Sequence, residues 1–533
     1  MNRKTVVLPV LAGLLAPVLA ACGSEGSGNG DGDPIVVGTT DHFVASKDTP
    51  APFDPAAAYD VAAWSVMRNT LQTLVRLPRS GTEPEMDAAR KCGFTDAQNE
   101  QYRCTLRKGL TFSNGHELEA KDVEFSLKRL LRIKHVGGPS SLFANLDKVE
   151  ATGARQVVFH LKKPDATFPY KLSTPAAAIV DSETYPANAL AKGFKMTGSG
   201  PYALDDFDSK DGKATLSKNP HYKGGLELHN SKIELRFFDS ARGMEKALKA
   251  GDIDVMGRTI SPEQVQRLGN AKDKGIELVE QPGQEIRYLA FDTDAPITGK
   301  KAVRQAMAQI VDRQKIVRDA YNRSAEPLYS LVPAGLPSHR NSFFNTYGGE
   351  PDAAAAKRTL AKAGIDTPVK LTLTYTTDHY GEATAKEFAT LKKQLNGSGL
   401  FDVDTKGVKW DSFRPAATSG KYEVYGYGWY PDFPDADNFI APFFEKDNFL
   451  GSPYSNREIR EKLLPQTRRQ TERGSTTNAF GRAQDIIAED VPVLPLWQGK
   501  QYLAARDDIT GVEWALNSAS VLQFWELGRG AEG

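Results

Sequence analysis

Residues 233–255 read IELRFFDSARGMEKALKAGDIDV, and three elements stand out in them. Residues 233–238 are apolar and β-prone and read as a strand. Residues 241–250 read as a helix that ends at Gly251, the residue type that most readily terminates helices. Residues 252–255 open the next strand. Strand, helix and strand in that order require a crossover connection, so the sheet is parallel or mixed and the fold class is α/β.

The same alternation continues on both sides. Toward the C-terminus, 288–293 reads as a strand. A helix over 301–312 carries Val303, Ala306, Met307, Ile310 and Val311 on one face. An Ala-rich helix over 352–363 has Asp352 as its N-cap and Gly364 just past its end. A strand at 369–375, a helix at 382–395, a strand at 422–427 and a helix at 475–489 follow. Residues 491–497 are extended, because Pro492 and Pro495 forbid helix. Toward the N-terminus, 34–39 is a short buried strand. A helix is expected over 59–77 with Trp64, Met67, Leu71 and Leu74 on its apolar face. Residues 101–106 and 156–161 alternate as strands. Between them lie the tight-turn signal Asn114–Gly115 and a helix from 120 with Val123, Leu127, Leu130 and Leu131 in register. Gly198–Ser199–Gly200–Pro201 suits a sharp reversal. No GK[ST] follows it, so it is no phosphate cradle.

A chain of 533 residues exceeds one compact core, and two or three domains are expected. Lys plus Arg and Asp plus Glu balance at 67 each, so no basic excess argues for nucleic acid. The N-terminus reads as an export signal: Arg3 and Lys4, then an apolar run over 6–21 broken by Pro9 and Pro17. Leu19–Ala20–Ala21 runs directly into Cys22. Residues 23–33, rich in Gly and Ser, form a flexible tether. Two further cysteines, Cys92 and Cys104, flank what reads as a polar loop. In an exported protein an even pair is read as a disulfide, and closing a loop of this size is worth roughly 3 kcal/mol.

Residues 425–444, YGYGWYPDFPDADNFIAPFF, hold eight aromatic side chains in 20 residues, plus Asp432, Asp435 and Asp437 and no Lys or Arg. Aromatic walls with a few carboxylates suit a pocket for a small cationic or zwitterionic solute. Phe439, Phe443 and Phe444 read as core. The chain's eight histidines form no HExxH pair, and no GxSxG elbow is present. The three acids lack the Gly and Glu of a calcium loop. No metal or cofactor is expected, and a hydrolase finds no catalytic constellation here.

Six segments, taken in order, resemble the extracytoplasmic solute-binding proteins of ABC importers, the peptide-binding (family 5) class. They are LRKGLTFSNG at 106–115 with AKDV at 120–123; GSGPY at 198–202 with KNPHY at 218–222; ALKAGDID at 247–254; VRQAM at 303–307 with Asp312–Arg313; WYPDFPD at 429–435; and the run from Ala483–Gln484 to DVPVLPL at 490–496. Cys22 resembles the acceptor of the bacterial lipobox, which implies cleavage before it and lipidation. Acyl chains contribute roughly 0.8 kcal/mol per buried CH₂ and hold such a protein on a membrane.

The resemblance implies a two-lobed clamshell, a periplasmic-binding-protein-like fold of type II with an extra subdomain inserted in the N-terminal lobe. On that frame 1–21 is the signal peptide and 22–34 the lipidated Cys and tether. Lobe I comprises 35–69, 198–288 and 494–533, the inserted subdomain 70–197, and lobe II 289–493. Residues 288–292 and 493–497 become hinge candidates. The implied function is capture of an extracellular peptide in the interlobe cleft and delivery to the permease and ATPase subunits of the transporter. The fold also serves oligosaccharides, nickel complexes and opines, and these stand as alternatives. Asp432 matches the acid that pairs with a peptide's α-ammonium. Trp429, Tyr430 and Phe433 ring it, with Tyr427 and, from lobe I, His42 and Phe43 as further ligand-binding candidates; backbone at 40–43 and 427–429 is expected to pair with the peptide. The protein is expected to be a monomer on the outer face of the cell membrane, periplasmic where an outer membrane exists, and not an enzyme.

Overall fold

A computed structural model describes residues 32–47, 50–257, 260–270, 275–448 and 450–530. The export signal, Cys22 and most of the tether lie outside the described residues. The crossover at 233–255 wraps around the strand Ile35–Thr39. That strand runs parallel both to Lys232–Phe237 and to Val255–Met256, with Val37 opposite Leu235 and Val255. The connecting helix, Ala241–Ala250, starts where Ser240 accepts a hydrogen bond from the Gly243 N–H and stops at Gly251, whose φ is 80°. Its buried face, Met244, Ala247 and Leu248, packs with Ile253, Met256 and Ala504.

These strands belong to one mixed sheet of 11 strands. Its order is Phe401–Val408, Val369–Thr376, Val424–Trp429, Ile276–Phe291, Val493–Arg506, Val255–Met256, Ile35–Thr39, Lys232–Phe237, Lys213–Lys218, Tyr202–Asp208, with Ala325–Pro327 added beside Val493–Arg506. The strand expected over 288–293 is the end of a much longer one. Pro282 and the polar residues around it hide its first half from an alternation reading. A separate four-stranded antiparallel sheet is built from Ala89–Phe94, Gln101–Leu106, Gln156–Leu161 and Leu146–Ala151.

Beside the small cluster around Met244, apolar packing gathers around two larger centres. One runs from Ile286 to Trp497 and includes Leu289, Met307, Leu373, Phe439, Phe443 and Phe444. The other joins Ile35, Met67, Leu106, Phe159, Leu235, Leu503 and Trp525. On this division we propose the two lobes, with 70–197 as the insertion carrying the four-stranded sheet. Two long antiparallel strands, Ile276–Phe291 and Val493–Arg506, carry the chain across. Their register breaks between Pro282 and Ile286 and again between Arg287 and Tyr288. Tyr288, Leu289 and Phe291, with Val493, Leu494, Leu496 and Trp497, sit inside the first centre. The packing changes sides nearer 282–286 and 498–500 than the hinge expected at 288–292 and 493–497, and we propose the hinge there.

Two further expectations are revised. The helix expected over 59–77 is Val61–Thr70, capped by Asp60. It stops because Thr70 is clamped by the reversal at 198–201: the Gly200 N–H donates to the Thr70 carbonyl at 3.0 Å. A Cβ at Gly198 would stand 2.1 Å from that same oxygen, which is why glycine is needed there. Cys92 and Cys104 are bonded to each other as expected. The segment they close is a hairpin rather than an open loop: they face each other across the pair Ala89–Phe94 and Gln101–Leu106.

Candidate ligand-binding site

Strand Val424–Trp429 delivers the chain to Asp432 at the junction of the two lobes. Asp432 is 8% exposed. Asn438 holds it from its own side. The Asn438 Oδ1 accepts from the Asp432 N–H at 2.8 Å and from Trp429 Nε1 at 3.2 Å, and Asn438 Nδ2 donates to Asp432 Oδ2 at 2.9 Å. From the other lobe, the Tyr59 hydroxyl bonds to the same carboxylate. Burial pushes the Asp432 carboxyl up to about 6, against the pull of the bonds from Asn438 and Tyr59 and of the field of Lys171. The Lys171 ammonium itself is engaged with Asp165 at 2.6 Å. A carboxylate taken out of water and met only by neutral donors is an incomplete ion pair.

The neighbouring acids have different fates. Asp435 caps the short helix Ala436–Phe439 and forms a two-point pair with Arg473, both bonds 2.7 Å. Asp437 is paired with Arg468 at 3.1 and 3.3 Å. Each buried charge is thereby matched, and the loop that carries Asp432 is pinned to 468–473. The inserted subdomain also meets the second lobe beside it: the Ala166 N–H donates to the Arg468 carbonyl at 2.8 Å, Asn99 Nδ2 to the Arg469 carbonyl at 3.0 Å, and the Tyr170 and Phe433 rings lie 6.0 Å apart.

The second lobe presents an aromatic wall. His379 stacks on Trp410 at 3.7 Å; Trp410 lies 5.7 Å from Tyr427 and 5.7 Å from Tyr380, and Phe413 lies 6.1 Å from Tyr427. Behind it, the buried Arg287 guanidinium pairs with Glu285 and lies 3.9 Å from the Tyr380 ring centre, 5.3 Å from Trp497 and 5.4 Å from Tyr430. Any side chain at Gly428 would strike it, since a Cβ there falls 2.2 Å from Arg287 Nη1. Glu387, bonded by the Tyr321 hydroxyl at 2.6 Å and Trp497 Nε1 at 3.2 Å, is pushed up to about 6 by burial.

Of the residues expected at the site, Asp432, Trp429 and Tyr427 cluster on the second lobe. Trp429 is itself buried and bears on Asp432 through Asn438. Tyr430 turns onto Arg287. On the first lobe, Phe43 packs edge-on against Phe53 and Phe237 at 4.8 and 5.8 Å and borders a small, partly open apolar hollow. His42 faces Asp239 at 3.9 Å. The residue that the first lobe brings to Asp432 is Tyr59, which the sequence offers only as the start of a helix. Asn438 and Trp410 also escape a reading of the sequence. A second aromatic run, Trp410, Phe413, Tyr422 and Tyr425, is the signal that marks this wall. The backbone pairing expected at 427–429 is partly taken up, because the Gly428 N–H donates to the Tyr380 hydroxyl at 3.1 Å.

The chain and its fold have known relatives. Residues 83–451 match the family described as bacterial extracellular solute-binding proteins, family 5 Middle. The chain is 26% identical over 514 residues to the oligopeptide-binding protein OppA of Bacillus subtilis, covering 90% of this chain and 91% of that one. It is 25% identical over 519 residues to the di/tripeptide-binding protein 1 of Pseudomonas aeruginosa, covering 91% and 93%. Among solved structures, a dipeptide-binding protein of Pseudoalteromonas sp. SM9913 in complex with Met-Leu superposes with a TM-score of 0.78 at 20% identity, over 93% of this chain and 100% of that one. A binding protein of Agrobacterium tumefaciens in complex with agropinic acid superposes with a TM-score of 0.77 at 20% identity, over 94% and 99%. The two-lobed α/β fold is shared by all of them, and this chain belongs to the bacterial extracellular solute-binding proteins of family 5.

Proposed function

We propose that this protein is the solute-binding component of an ABC importer and that its solute is a peptide held by its α-ammonium at Asp432. The observation that carries this is the Asp432 carboxylate itself, buried where the lobes meet and bonded only by the neutral groups of Tyr59 and Asn438. A peptide's ammonium completes that ion pair, and the charge-assisted bond is worth roughly 1.5–3 kcal/mol. Because Tyr59 belongs to one lobe and Asp432 to the other, a ligand seated there stabilises the closed arrangement, a population shift that a permease can read. The peptide-binding names of the relatives support the same reading. Cys22 is the lipid acceptor, and the protein works as a monomer tethered to the outer face of the cell membrane, with permease and ATPase subunits as its partners.

Calorimetry with short free-amine peptides and their N-acetylated forms tests the reading. N-acetylation or Asp432→Ala is expected to weaken binding roughly 10- to 150-fold. Equal affinity for both forms removes the ammonium role.

A further inference from the structure

Arg68 is a charged group buried in the first lobe without a counter-ion. It lies in the last turn of the helix Val61–Thr70 and is 6% exposed. Its Nη1 donates to Thr73 Oγ1 at 3.3 Å, and its Cζ stands 6.0 Å from the centre of the Trp525 ring. Among the described residues no protein group accepts from its Nε or its Nη2, the edge with which a guanidinium makes two parallel bonds. Arg473, Arg468, Arg129 and Arg287 are buried too, and each is paired with a carboxylate; among the described residues Arg68 has no such pair. The surroundings add positive charge. Arg76, 8% exposed, comes from the hairpin of Val75–Arg76 and Glu85–Met86 in the inserted subdomain. Its Nε donates to Glu85 at 2.7 Å, while its Nη1, 3.8 Å from Asp87 Oδ1, makes no hydrogen bond. The Asp87 carboxylate accepts from Gln72 Nε2 at 2.9 Å, and the Asp87 carbonyl from Arg107 Nε at 2.6 Å. Three arginines thus gather around two carboxylates, one of which, Glu85, is half exposed. Burial pulls the Arg68 guanidinium down to about 10, with the field of Asp87 opposing and that of Arg76 adding to it, so Arg68 stays charged at neutral pH. Three orphaned donors in this cluster stand against one orphaned acceptor, Gln72 Oε1.

We propose that Arg68 and Arg76 hold a small monoanion of the halide class, chloride being the abundant one, where the first lobe meets the inserted subdomain. The Nε–Nη2 edge of Arg68 offers two donors and Arg76 Nη1 a third. Water accepts such bonds but leaves the surplus charge buried; an anion satisfies the donors and removes the charge together. The burial of both arginines admits an ion of one or a few atoms. Arg68 and Trp525 belong to the first lobe and Arg76 to the insertion, so the ion ties one to the other. The site does not depend on which solute the cleft takes.

Two measurements on the purified protein test the site. Crystals soaked in sodium bromide, with diffraction recorded at the bromine absorption edge, are expected to show an anomalous peak in contact with Arg68 Nε and Nη2 and Arg76 Nη1. Urea unfolding in sodium chloride, balanced with sodium gluconate to constant ionic strength, reads the ion's effect on folding. The wild-type folding constant is expected to rise about tenfold or more between roughly 5 and 300 mM chloride, by mass action. Arg68→Met is expected to show no such rise, and Arg68→Lys to keep part of it. The absence of a bromide peak at Arg68 overturns the proposal, and so does an equal chloride dependence in Arg68→Met. A peak without chloride dependence in wild type marks an adventitious ion only and overturns it as well. The two wild-type measurements decide the matter even where the variants fail to fold.

Discussion

Replacing Asp432 with Asn is expected to make the ligand-free protein more stable while removing its ligand. Burial raises the Asp432 carboxyl from 3.8 to about 6. The folded state then binds the proton more tightly than the unfolded chain does. Stability from this group is fully present below about pH 4 and is lost as pH rises through about 6. A rise of this size corresponds to roughly 3 kcal/mol, so at pH 7 the ionised Asp432 costs the ligand-free protein about that much. An asparagine in its place keeps an acceptor for Asn438 Nδ2 and carries no charge. Urea unfolding of stripped wild type and Asp432→Asn at each pH from 4 to 8 measures the difference. The variant is expected to match wild type at pH 4 and to exceed it by roughly 2–3 kcal/mol at pH 7 and above. Taking the difference isolates Asp432 from Glu387, which burial also raises to about 6. A difference that stays flat between pH 4 and 8 refutes the reasoning. A binding residue that destabilises its own fold is the expected signature of a site built for a partner charge.

The acids at 435 and 437 should behave in the opposite way. Arg473→Met strands a buried Asp435 and is expected to cost about 3–5 kcal/mol in urea unfolding, most of it recovered in Asp435→Asn/Arg473→Met; a loss below about 1 kcal/mol would show that the pair is solvated. Replacing Cys92 and Cys104 by Ser is expected to cost roughly 3 kcal/mol of stability in urea unfolding, because the bridge staples the hairpin of the inserted subdomain.

Local sequence signals carry the architecture because their causes are local. The crossover at 233–255, the caps Asp352 and Asp60 and the reversal at 198–201 each follow from a handful of adjacent residues. The core role of Phe439, Phe443 and Phe444, all at or below 1% exposure, follows from spacing in the same way. Asp432, Asp435 and Asp437 are nearly equivalent in sequence, yet only the fold separates them. Arg473 and Arg468 come back from 38 and 31 residues downstream to neutralise two of the three. Tyr59 arrives from the other lobe to meet the third. The same holds for the hinge, since neither Pro282 nor Gln498 shows in sequence which core its neighbours will join. The α/β class and the family were both legible in the linear chain, because periodicity, caps and motif spacing act over a few residues. Which carboxylate stays without a charged partner, and what faces it, emerges only on folding, because the groups that neutralise or expose a charge are brought together across hundreds of residues of chain.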